Sequence, residues 1–220
     1  ADSSAFNIAA GAAAAISFTS QPGTNANVPA GSPITLVAHV VDGAGNAVAG
    51  ESVALAIAGG FAGSTLTATS PQTTDASGNA TFNNVSLNKV GTGTLSATDG
   101  ALSTTGNSFN IVATSPDHLA FTPAPPASIV QGQALGSVTV TEYDVFGNQV
   151  SADNTTQVSL VAGSCGGTVL GTQALSGGVV TFNTAQTFMT VASGVSLSAA
   201  AGANPPSAAA GTFDVTANGD

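Results

Sequence analysis

Apolar residues recur at every second position in short runs along the chain. Val53, Leu55 and Ile57 form one run, Val138 and Val140 another, followed by Val158 and Leu160, Val180 and Phe182, and Val195, Leu197 and Ala199. Phe109 with Ile111 and Phe213 with Val215 close the pattern. A period of two sets these side chains on one face of a pleated strand and turns the intervening Ser, Thr and Asn to water, which predicts half-buried antiparallel strands. Turn formers separate the runs: "DGAGN", "DASGN", "TDG", "DVFGN", "SADN", "GSCGG" and "LSGG". The Ala-rich stretches invite a helical reading, but no apolar stripe at helical spacing runs far between glycines, so no helix beyond a stray turn is expected.

The runs come in two sets. "ISFTSQP" (16–22) answers to "LAFTPAP" (119–125), "VVDGAGNAV" (40–48) to "EYDVFGNQV" (142–150), "ATFNNVSL" (80–87) to "VTFNTAQT" (180–187), "TLSAT" (94–98) to "SLSAA" (196–200), and "SFNIV" (108–112) to "TFDVT" (212–216). Order is preserved and the offset drifts by only a few residues, as loop insertions would cause. About seven short strands per hundred residues is the pattern of an immunoglobulin-like sandwich. The expected architecture is therefore all-β, with two tandem Ig-like sandwiches at 14–114 and 115–220. Residues 1–13 are read as an orphan closing strand and linker: "SAFNI" (4–8) repeats "SFNIV", and twelve residues separate Phe6 from Phe18 as they separate Phe109 from Phe121.

Composition narrows the function classes. Charged residues make up 5% of the 220, against roughly a quarter in ordinary soluble proteins, so the polar coat is one of Ser, Thr, Asn and Gln. The net charge of -10, with Lys89 the only Lys or Arg, excludes nucleic acid, which demands clustered bases. The stretch "IAAGAAAAISF" is too short to span a bilayer and lacks a basic flank, so no membrane insertion is expected. Cys165 is alone, which forbids a disulfide within the chain, and "GSCGG" offers no neighbour to lower its pKa.

The order F-T-x-x-P, V-x-D-x-x-G-N-x-V, D-x-x-G-x-A-x-F, G-T-L-x-A, S-x-F-N-I resembles the tandem bacterial Ig-like repeats, of invasin and adhesin type, in cell-surface proteins. Its motif residues are Asp42, Gly45, Asn46, Asp75, Gly78, Phe82 and Phe109, then Asp144, Gly147, Asn148, Phe182 and Phe213. The second copy departs from it, carrying "LSGGVVTF" where the first has "TDASGNATF". The resemblance implies an extracellular rod of stacked sandwiches that serves as spacer, stalk or fibre component. Its partners would be neighbouring Ig-like domains or copies of itself.

Candidate sites are sparse. The D-x-x-G-N segments read first as capped turns, and second as weak calcium candidates at Asp42 and Asp144 with Asp99 or Asp117 in support, since Ca²⁺ wants six to eight oxygens and each turn supplies one carboxylate. No cofactor is otherwise expected. His39 is read as a solvent-facing strand residue and His118 as part of the linker, where Pro116 marks a break. No G-x-S-x-G elbow, zinc cluster or P-loop is present, so no enzyme is expected. "GSCGGTVLG" (163–171) reads as a loop. Lys89 lies in a segment that reads as an exposed turn, which argues against a covalent Lys–Asn or Lys–Asp link within the core.

Two alternatives stay open. Ala5, Phe6, Asn7 and Ile8 form a strand-exchange candidate: an unpaired alternating strand seeks an edge, which would make the chain a self-polymerising filament or surface-layer subunit. The other is a carbohydrate-binding accessory module of a secreted enzyme, for which Tyr143, Phe146 and Phe61 would be the aromatic candidates.

Overall fold

The computed structural model describes residues 9–163, 167–201 and 209–218. Ala5, Phe6, Asn7 and Ile8, the strand-exchange candidate, lie outside the described residues, as does Cys165. The chain divides into two compact units, Ala1–Val112 and Ala113–Asp220. Every regular element among the described residues is a strand.

In the first unit the strands are β1 (Ala13–Ser20), β2 (Asn27–Pro29), β3 (Ile34–Asp42), β4 (Ser52–Gly60), β5 (Leu66–Thr67), β6 (Gln72–Thr73), β7 (Asn79–Leu87), β8 (Gly91–Asp99), β9 (Leu102–Thr105) and β10 (Phe109–Val112). One sheet runs β1-β3-β7-β5 and the other β2-β10-β8-β4-β6, with β9 also paired to β8. The lead strand is split between layers: β1 lies antiparallel to β3, then β2 crosses over to run parallel to the closing strand β10. Period two delivers Leu36, Ala38 and Val40 of β3 inward against Val53, Leu55, Leu95, Ala97, Phe109 and Ile111 of the opposite sheet. Strand β7 breaks its own period. Ala80 and Phe82 point inward, and so do Val85 and Leu87, because a bulge shifts the register between Leu36↔Phe82 and Ile34↔Val85. Asn84, at φ 58°, belongs to the bulge; without the extra residue the last two would face water.

The second unit repeats the plan with β11 (Pro116–Phe121), β12 (Ser128–Val130), β13 (Ala134–Asp144), β14 (Gln157–Ala162), β15 (Thr168–Ala174), β16 (Val179–Thr187), β17 (Ala192–Ala201) and β18 (Ala209–Thr216). Its sheets are β11-β13-β16 and β12-β18-β17-β14-β15, with β12 again parallel to the closing strand. Leu119, Val138, Val140, Val158, Leu160, Leu175, Phe182, Leu197, Phe213 and Val215 form its core. Each unit is an immunoglobulin-like sandwich, with its own core between two sheets and a lead strand shared between them.

The two cores plug the same gap from different loops. Phe109 stands opposite Gly93 and takes the ring of Phe61 at 5.0 Å between centroids. A Cβ at residue 93 would come within 2.8 Å of that ring, so the glycine makes room for it. In the second unit the equivalent pair is Phe213 opposite Val195, and Phe188 packs edge-on against Phe213 at 5.1 Å.

Three expectations are corrected here. His118 lies within β11 and not in a linker, and Pro116 opens that strand instead of breaking the chain, a place proline tolerates at the start of an edge strand. Thr168–Gly171 belongs to β15, paired with β14, and is not loop; Gly171 sits there beside the Phe182 ring, 3.3 Å from where its Cβ would be. His39 is half-buried, its Nδ1 3.0 Å from Asn79 Oδ1 across β3 and β7.

Candidate functional site

The acidic turns are built alike. In each of Asp42–Asn46, Asp75–Asn79 and Asp144–Asn148 the Asp amide donates to the Asn carbonyl, and the Gly amide donates back to the Asp carbonyl, at 2.9–3.0 Å. Asp Oδ1 then accepts two further amides: Ala44 and Asn46 at 2.9 Å, Ser77 and Asn79 at 2.8 and 3.0 Å, Phe146 and Asn148 at 2.9 and 2.8 Å. The glycines adopt φ of 84°, 72° and 72° at residues 45, 78 and 147, the left-handed position of a three-residue hairpin loop. Where the second copy departs from the motif, Gly177 and Gly178, at φ 62° and 73°, make a two-residue turn closed by Ser176 and Val179.

Asp42 and Asp144 do something more with their second oxygen. Asp42 Oδ2 accepts the Gly11 amide at 2.8 Å and Asn46 Nδ2 at 3.0 Å. Asp144 Oδ2 accepts the Thr114 amide at 3.1 Å and Asn148 Nδ2 at 2.9 Å. Gly11 and Thr114 belong to the chain that leads into each unit, so in both copies one carboxylate shapes a hairpin and ties down the incoming backbone. Hydrogen bonds from the Asn46 side chain and the Gly11 amide hold Asp42 well below the usual carboxylate range. Burial pushes Asp144 up, but the donors from Asn148, Thr114 and Phe146 together outweigh it and lower the pKa.

These latches give the strongest sequence motif its place. Each carboxylate oxygen of Asp42 and Asp144 carries its donors, and a cation would have to displace them. Asp99 is half-buried at the end of β8, opposite Leu102, and Asp117 is exposed with its Oδ2 3.0 Å from His118 Nδ1. Among the described residues no group of three or more His, Cys, Asp or Glu is gathered as metal ligands would be.

The aromatic candidates part company. Phe61 is 3% exposed and plugs the first core, so it offers no face to a sugar. Tyr143 and Phe146 are half-buried, and Tyr143 stacks on His118 with centroids 5.5 Å apart. Lys89 is half-buried in the loop between β7 and β8, where its amide donates to Ser64 Oγ at 3.2 Å. No helix among the described residues is long and apolar enough to cross a membrane.

One residue escaped the motif reading. Glu142 is fully buried, and no donor reaches either of its carboxyl oxygens. The signal was present in the repeat: "VVD" of the first copy aligns with "EYD" of the second, placing Glu142 on the inward parity of Val40.

No family model matches this chain, and no curated protein matches it. Solved structures similar to it include the Escherichia coli adhesin FdeC, at 21% identity and a TM-score of 0.42, covering 96% of this chain and 67% of that one. The Yersinia pseudotuberculosis adhesin InvE is similar at 20% identity and a TM-score of 0.37, over 87% and 56%. Domains 4-9 of the surface layer protein SbsC are similar at 16% and 0.35, over 94% of this chain, which spans only 32% of that fragment. At such identities and TM-scores the likenesses carry no weight of their own; the strand order of each unit carries the fold.

Proposed function

We propose that this chain is a non-catalytic structural segment of an extracellular surface protein, in which each sandwich is one repeat of a spacer or stalk. The observation that supports this reading most is the pair of Asp latches. A spacer must transmit tension from one repeat to the next without fraying at the point where the chain enters, and a charge-assisted hydrogen bond from each lead-in amide to a fixed carboxylate resists that fraying. The uncharged polar coat suits a surface that stands in water while offering few ionic contacts to passing partners.

Length is the property to measure. When one, two and four copies of the chain are placed between a cell-surface anchor and a fluorescent tag, the height of the tag above the membrane should grow in proportion to copy number. A height independent of copy number would refute the spacer. Strand exchange is tested separately by removing residues 1–10: loss of assembly in the shortened chain would replace the spacer with a filament subunit.

A further inference from the structure

We infer that Glu142 and Asp153 form a proton-binding site in the second unit, in which a neutral Glu142 carboxyl donates its proton toward the Asp153 carboxylate and locks the 151–156 loop over the core. In the first unit Val40 stands at the equivalent position. Val40 donates its amide to Gly78 O at 2.9 Å and accepts the Val48 amide at 3.0 Å. Glu142 donates to Gly178 O at 2.8 Å and accepts the Val150 amide at 3.0 Å. The backbone cradle is the same, and a carboxyl replaces an isopropyl group.

A bare carboxylate is costly in such a place. Both oxygens of Glu142 are buried and no protein donor reaches either of them. Asp153 is fixed as the anion: Oδ1 accepts the Thr155 and Thr156 amides at 2.8 and 3.0 Å, and Oδ2 accepts Thr156 Oγ1 at 2.5 Å. Its own backbone is stapled to the neighbouring turn, since the Gly178 amide donates to Asp153 O at 2.8 Å. Burial first, and then the Asp153 charge, push Glu142 up to about 7, while the threonine donors outweigh burial at Asp153 and bring it down to about 2. Gly178 ties the two residues together, accepting the Glu142 amide and donating its own to Asp153 O, both at 2.8 Å; of two coupled carboxyls at unequal pKa values, the buried one keeps the shared proton.

Other charges near the pair are few. Asp144, two residues along β13 on the same face, is engaged by Thr114 and Asn148. On β11, Asp117 and His118 lie beside Tyr143 at the surface. The 176–178 turn, β14 and β16 contribute no titratable side chain.

The sign follows from proton counting. Between the ordinary Glu value and about 7 the folded unit holds a proton that the unfolded chain has released, so its folding constant falls about tenfold per pH unit as pH rises, and levels off above. The full chain has only two glutamates, Glu51 and Glu142, so ¹³C labelling at Glu Cδ gives two carboxyl signals. One should titrate with a midpoint near 7 and vanish in Glu142→Gln. In Asp153→Asn that midpoint should fall but stay above the ordinary carboxyl range. Unfolding of the second unit, read by the fluorescence of Tyr143, should lose its pH slope between about 5 and 7 in Glu142→Val, which restores the first unit's residue. If Glu142→Val does not fold, the wild-type titration decides alone. The proposal is overturned if neither carboxyl midpoint exceeds about 5, if Asp153→Asn leaves the midpoint unmoved, or if Ca²⁺ added at pH 8 and constant ionic strength shifts the Glu142 signal, which would make the site a cation site.

Discussion

Asp144→Asn isolates the latch with almost no change of shape. The carboxylate accepts the amides of Phe146 and Asn148 on Oδ1, and the amide of Thr114 together with Asn148 Nδ2 on Oδ2. An asparagine has one oxygen, and whichever way its amide is turned, two of those donors meet an NH₂ group instead. Losing two hydrogen bonds to a charged acceptor costs about 1.5 kcal/mol each at the low end, so the second unit should lose about 3 kcal/mol or more. For a unit of this size that is a fall in Tm of roughly 12 °C or more. Tyr143 is the only tyrosine and there is no tryptophan, so tyrosine fluorescence during urea denaturation of the whole chain reports the second unit alone. The Thr114 amide should also lose its protection from hydrogen exchange. A fluorescence midpoint that does not move, or a Thr114 amide that stays protected, would refute the latch.

Phe182→Ala should cost about 3–5 kcal/mol and shift the tyrosine transition, whereas Phe82→Ala should cost a similar amount by circular dichroism while leaving that transition in place, because each ring belongs to a separate core. Acid should weaken the second unit: Asp153 is held down at about 2 in the fold, so its contribution is complete above about pH 4 and is lost as pH falls toward 2, roughly 1–2 kcal/mol after solvent screening, measured by urea midpoints across that range. Asp144 adds to the same loss, since its folded pKa is also lowered. A chelator should leave both thermal transitions unmoved, as the Asp42 and Asp144 oxygens already carry hydrogen-bond donors; a fall in either would reveal a bound cation.

The strands, their inward residues and the twofold repeat were legible because period two and turn chemistry are local signals. Phe82, Phe109, Phe182 and Phe213 all face inward as their alternation requires. What was not legible arises from contacts distant in sequence. The bulge at Asn84 reverses parity, and no rule of alternation announces it. Gly171 reads as a loop former, yet it stands in a strand because the Phe182 ring lies beside it. Phe61 looks like an exposed aromatic until Gly93 is seen opposite Phe109. The D-x-x-G-N turns could be read as turns; that their spare oxygen holds Gly11 and Thr114 could not, since those partners lie about 30 residues upstream.

Stretching single molecules of the chain between terminal handles bears most directly on the view of the molecule as two separately folded, tension-bearing sandwiches. Two unfolding events should appear, each releasing about 35 nm of chain for roughly 100 residues at about 3.5 Å apiece. A single event releasing about twice that length, or a smooth extension with no event, would contradict it.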